Sequence, residues 1–163
     1  MSKDDLYWMR EAIAEAERAL VNGEIPVASI LVAGNVEIGR SQTMVSRKGT
    51  MAAHGELFVI LDAGPKLWSA AHPLVIYTNL EPCLMCLGAA MQVGIDEIVY
   101  GMKASPDGAD RYKEDIDTRG QKAPIVRGGL LENETVLLMR RLLVDNPNHL
   151  AAPYVRLMLN SYD

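Results

Sequence analysis

Leu74-Val-Ile-Tyr-Thr-Asn-Leu-Glu-Pro-Cys83-Leu-Met-Cys86-Leu-Gly-Ala-Ala-Met-Gln-Val93, followed by Gly94 and Ile95-Asp-Glu-Ile-Val-Tyr100, carries the architecture in 27 residues. Residues 74–78 form a continuous apolar run with β-branched members, the pattern of a strand buried on both faces. Residues 83–93 are rich in Ala, Leu and Met and predict a helix, and residues 95–100 predict a second strand before Gly101. Strand, helix and strand in succession imply helices packed over a sheet.

The same alternation extends in both directions. Upstream, Leu6, Met9, Ile13, Ala16 and Leu20 make one stripe over residues 4–22, with Asp4 and Asp5 at its start and Gly23 past its end, which predicts an amphipathic helix. Residues 27–32 and 36–38 flank Ala33-Gly34-Asn35 and predict a β-hairpin. A polar loop is expected over 41–50 and a helix over 54–63. Downstream, 103–121 is polar and favours no element, 132–144 is strongly helical, and 147–159 predicts a short terminal helix. The class is α/β in three layers. No repeat and no Gly/Ser or Pro-rich linker divides the chain, so residues 1–163 are expected to be one domain.

Composition narrows the function. Nearly half of the 163 residues are apolar (49%), enough for a continuous core. No apolar stretch approaches the roughly 20 residues of a membrane-spanning helix, and Met1-Ser-Lys-Asp-Asp-Leu-Tyr-Trp8 lacks the apolar run of a secretory signal. A cytoplasmic protein without a membrane partner is expected. Sixteen Lys and Arg against 21 Asp and Glu give a formal charge of -5, which demotes nucleic acid as a partner without excluding it. Two cysteines cannot build a framework of several disulfides, which leaves metal binding or redox chemistry.

Two short motifs, His54-Gly55-Glu56 and Pro82-Cys83-Leu84-Met85-Cys86, each open a predicted helix. Cysteines at i and i+3 share a helix face, and the free N–H groups of a helix N-terminus favour thiolate, the form that binds zinc. His54 would complete a three-ligand site, leaving the fourth tetrahedral position to water, as in catalytic rather than structural zinc centres. Neither His72 nor His149 has ligand spacing. Glu56, two residues from His54, could take the proton of the activated water and return it to a leaving amine. That chemistry is hydrolytic deamination of a C–NH2 carbon in an N-heterocycle. A lone Cys-x-x-Cys also serves redox exchange, structural zinc or plain core packing, and the second motif is what shifts the balance.

His-x-Glu with Pro-Cys-x-x-Cys is the signature of zinc deaminases, and the chain resembles the cytidine-deaminase-like superfamily, in the branch of cytosine, guanine and tRNA adenosine deaminases. Residues 77–90 carry the strongest match, and the likeness runs from the opening helix to Val99-Tyr100-Gly101. It implies a central five-stranded mixed sheet flanked by helices, one zinc per chain and a homodimer. It also implies His54, Cys83 and Cys86 as ligands, Glu56 as proton shuttle, and the backbone around Gly55 and Glu81 as part of the base-binding wall. Thr118-Arg119-Gly120 and Asp145-Asn146-Pro147 are similar in placement to segments of fungal-type cytosine deaminases. Thr43 stands where many relatives carry a base-reading asparagine, and Ala152-Pro153 where those cytosine deaminases carry an acid. Asp107 falls near an acidic position of guanine deaminases, although it is also an ordinary turn residue before Gly108.

The resemblance therefore points to a free aminated nucleobase or related N-heterocycle as the small-molecule substrate, such as guanine, an isocytosine- or cytosine-like ring or an s-triazine, with cytosine itself put in doubt but not excluded. A tRNA-specific adenosine deaminase is the alternative and a non-catalytic zinc or thiol module the second. Met85, Met91 and the stripe over 136–144 are expected in the core. Trp68, Tyr154 and Tyr162 could stack on a planar base but are expected to serve packing. Arg111, Lys113, Arg119, Lys122 and Arg127, interleaved with acids, are expected on a solvated face.

Overall fold

Two layers of helices sandwich a five-stranded sheet in the computed structural model, which describes residues 4–112, 120 and 122–162. The strands are β1 (Ala28–Ala33), β2 (Val36–Gln42), β3 (Leu74–Leu80), β4 (Glu97–Met102) and β5 (Ile125–Arg127), in the order β2-β1-β3-β4-β5. β1 runs antiparallel to β2 and β3, whereas β3, β4 and β5 are parallel. All seven residues of β3 are buried. The helices are α1 (Asp5–Val21), α2 (Val45–Lys48), α3 (Gly55–Ala63), α4 (Leu84–Gln92), α5 (Glu132–Asp145) and α6 (Ala152–Leu159).

Alternation along each strand divides the core. Ile30, Val32, Val75, Tyr77 and Val99 pack with α1, α5 and α6, and Leu31, Ala33, Leu74, Ile76 and Ile98 face α3 and α4 on the other side. Both faces are covered, so these strands read as unbroken apolar runs. The three-layer α/β/α arrangement and the five-stranded mixed sheet are those expected.

α1 starts where Asp4 accepts a hydrogen bond from the Tyr7 N–H at 2.9 Å and stops at Gly23, whose φ of 76° suits glycine. Of its stripe, Met9, Ile13, Ala16 and Leu20 are buried while Leu6 is exposed.

Several expectations need correction. The second hairpin strand runs to Gln42, because pairing with β1 continues past a bulge at Leu31/Val32, and the polar stretch after it contains α2. The terminal helix begins only at Ala152. Met85 is exposed rather than core, and within the 136–144 stripe Leu137 and Val144 point outward; Trp68 is 91% exposed in the single chain. Arg111, Lys122 and Arg127 are exposed, as expected, with Arg127 in β5 bridging Asp5 and Glu97 and Arg111 donating to the Ser105 carbonyl. Lys113, Thr118 and Arg119 lie outside the described residues.

Candidate active site

The two motifs meet where β3 ends. His54 and Cys83 are the N-cap residues of α3 and α4, both in extended backbone, and Cys86 sits in the first turn of α4. The His54 Nδ1 atom is 3.5 Å from each sulfur, and the sulfurs are 3.7 Å apart. Tetrahedral zinc, with bonds of about 2.1 Å to nitrogen and about 2.3 Å to sulfur, needs edges of about 3.6 Å and about 3.8 Å. The triangle therefore fits that ion, and among the described residues these three are the one cluster of potential metal ligands.

Electrostatics match the geometry. A hydrogen bond with Cys86 and the nearby His54 outweigh burial and lower the Cys83 pKa to about 4, whereas the bond with Cys83 and burial push Cys86 up. His54 is raised, chiefly by its bond to Cys83. One thiolate is thus held ready, and binding of a cation would release the second proton. Glu56 is buried, and its Oε2 has no hydrogen-bond partner among the described residues. Burial raises its pKa, the expected behaviour of a carboxyl with little solvent.

A cavity of about 140 Å³ opens over this group. His54, Glu56 and Cys83 line its floor, and Thr43, Glu81, Asp107 and Tyr154 join them among its polar lining. Ile25, Val27, Val45, Met51 and Leu80 supply apolar surface. Gly55 does not line the cavity; it starts α3, where a Cβ would come within 3.2 Å of the Ser41 carbonyl. The Glu81 carboxylate accepts from the Ala104 N–H at 2.8 Å. It also presses on Gly108, where a Cβ would lie 2.2 Å from it and would have to displace it. That contact seats the loop carrying Asp107, whose Oδ1 accepts from the Tyr154 hydroxyl at 2.6 Å.

The structure thus brings together Thr43, Glu81 and Asp107 with the motif residues. Of the three aromatics, Tyr154 faces the cavity, Tyr162 binds the Lys103 backbone and Glu132, and Trp68 flanks a separate apolar groove with Leu61 and Leu67. Sequence reasoning missed the apolar wall and Asn79. Wholly buried, Asn79 accepts from the Ala28 N–H and donates to the Pro26 carbonyl, and so locks the strand leading to Val27. An amide inside the apolar run of β3 was the available signal for it.

The model of the cytidine and deoxycytidylate deaminase zinc-binding region matches residues 2–102. Among curated relatives, tRNA-specific adenosine deaminase 2 of Xenopus laevis is 31% identical, with 86% of this chain and 87% of that protein covered. The tRNA(Ile)-lysidine synthase of Thermus thermophilus is 36% identical over 81% of this chain, which spans only 24% of that protein's length. A structure from work on A-to-I editing by tRNA:A34 deaminases at the wobble position superimposes with a TM-score of 0.71 at 30% identity, covering 80% of this chain and 97% of that one. The guanine deaminase of Nitrosomonas europaea superimposes with a TM-score of 0.75 at 17% identity, over 88% and 86% of the two chains, a likeness of fold alone.

These findings overturn the expectation of a free heterocycle as substrate, because the relatives at 30% identity or more are named for tRNA. Glu24, Glu56 and Glu81 are buried, and Glu11, Glu15 and Glu37 pair with Arg18 and Arg40. Among the described residues no helix is long and apolar enough to cross a membrane.

Proposed function

The chain belongs to the cytidine and deoxycytidylate deaminase zinc-binding family, and from that premise we propose that it converts an adenosine of transfer RNA, at the wobble position, to inosine. The observation that carries this reading is the 31% identity across 87% of tRNA-specific adenosine deaminase 2. His54, Cys83 and Cys86 would hold the zinc, which when bound supplies a Lewis acid that acidifies water.

The remaining chemistry falls to the protein's own groups. Glu56, buried and with one oxygen unpartnered, takes a proton from the attacking water and hands it to the departing amine. Its raised pKa suits both halves of that transfer. The Thr43 hydroxyl, on the lining, can donate or accept a single hydrogen bond at the base edge. Asp107, with one oxygen occupied by Tyr154, offers an acceptor, and the Tyr154 ring offers a face for stacking. The apolar residues around them exclude bulk water from the reacting carbon.

The test is inosine formation by zinc-loaded protein on an anticodon stem-loop RNA with adenosine at the wobble position, beside a panel of free bases and nucleosides. Conversion of the RNA alone is expected. Ammonia release from a free base with the RNA untouched would overturn the reading.

A further inference from the structure

Glu24 is wholly buried, lies outside the cavity and has no part in the chemistry above. It follows Gly23 in the turn that ends α1, and its carboxylate reaches across to α2. One oxygen accepts from the Ser46 N–H and the other from the Arg47 N–H, both at 2.8 Å, and Arg47 Nε lies 3.3 Å away. A four-residue helix cannot sustain itself, and Met44 at its N-cap makes no side-chain cap bond. Glu24 therefore supplies from 22 residues away the cap that α2 lacks. Around α2 stand Thr43, Val45 and Met51 of the cavity wall, and the segment ends at His54.

The same turn holds a second wall. The Ala151 N–H donates to His149 Nδ1 at 3.1 Å, which places the ring proton on Nε2. That Nε2–H points to the Gly23 carbonyl at 3.2 Å and to Ser46 Oγ at 3.3 Å. His149 is buried and its carbonyl accepts from the Ala152 N–H, so it fixes the start of α6, whose third residue is Tyr154.

We infer that Glu24 and His149 are positioning residues that join the α2 wall and the α6 wall of the cavity through the Gly23–Glu24 turn. They set how closely the walls hold a substrate without touching it, and they leave the metal ligands and Glu56 as they are. Their kinetic effect rests on the proposed RNA substrate, whereas their mechanical effect does not.

The experiment compares Glu24→Gln, His149→Ala and Ser46→Ala on the anticodon stem-loop RNA, with zinc content and hydrogen exchange measured on each protein. For Glu24→Gln and His149→Ala, KM should rise about tenfold with kcat within about twofold and zinc retained, the size of one lost hydrogen bond expressed in binding. A kcat that falls with the folded fraction at constant KM marks a merely structural role and overturns the inference. In a Tyr154→Phe background, His149→Ala should raise KM less than about twofold further, because both act on one wall; full additivity overturns it. Exchange in Glu24→Gln should rise over residues 44–53 and 151–156 together; a rise confined to the first segment overturns it.

Should Glu24→Gln fail to fold, Ser46→Ala keeps Glu24 and removes only the Ser46–His149 contact. Its KM should rise about two- to threefold, and an unchanged KM overturns the link. If wild-type protein leaves the RNA untouched, the proposed substrate fails, and the exchange pattern alone decides the inference.

Discussion

The segment from Leu74 to Gln92 and the walls of the cavity are built in opposite ways. In the first, a strand buried on both faces delivers Cys83 and Cys86 directly to the first turn of the next helix, within 19 consecutive residues. In the second, wall residues come from the β1 approach, the α2 segment, the loop before Gly108 and α6. Polar bonds between chain-distant partners hold them, such as Tyr154 to Asp107 across 47 residues and Ser46 to His149 across 103. The cysteine pair is a local property of the chain, joined by His54 and Glu56 from α3, whereas the walls are assembled from farther apart.

The sharpest way to break this contrast is Cys86→Ala. Removing one of three ligands should abolish zinc binding and turnover together and lower the unfolding temperature, as metal analysis and calorimetry would report. Retained zinc would show that the segment is not the centre assigned to it. Next comes Glu56→Ala, expected to cut kcat by about 10²- to 10⁴-fold while metal analysis still finds one zinc per chain. Loss of zinc in this variant would blur the line between ligand and shuttle.

Tyr154→Phe probes the other region. It should raise KM about tenfold with kcat nearly kept, because it frees Asp107 without touching the floor of the site. A selective loss of kcat would move α6 to the chemical side of the comparison.

The smallest effect belongs to Asp5, at the start of α1 and outside both regions. Asp5 is raised by partial burial, but the Tyr77 hydroxyl at 2.7 Å and Arg127 at 2.8 Å outweigh it, and its carboxyl lies below the ordinary 3.8. A depressed carboxylate stabilises the fold above its ordinary pKa and loses that contribution as pH falls through its folded value. Asp5→Asn should thus cost a few tenths to about 1 kcal/mol near neutral pH and progressively less as pH falls below 3.8 through the lowered folded value, by denaturant titration. An equal cost at every pH would rule out the charge.

Legibility in the sequence followed the same division. Helices and strands whose periodicity is satisfied by one neighbouring layer, such as α1 and β3, could be read to within a few residues. Cys83, Cys86 and His54 were legible because metal ligation demands fixed residue types at short spacings. α2 was not, since four residues carry no period and its cap lies at Glu24. Met85 was misplaced because apolar character alone does not say which side of an element is covered. Tyr154 could not be distinguished from Tyr162 by sequence, since only the packing of α6 turns one toward Asp107 and the other toward Lys103. The substrate was the largest miss. Net charge sums over buried and paired acids alike and says nothing of the field at one opening.

A cavity of about 140 Å³ admits a ring system and little more. A nucleotide inside a duplex could reach Glu56 only by leaving its stack and breaking its pairing, at a cost of a few kcal/mol, whereas one at the tip of a hairpin loop has paid most of that beforehand. On the proposed tRNA substrate, selection among adenosines would then be made largely by the fold of the RNA, with the protein accepting whichever base is already turned outward.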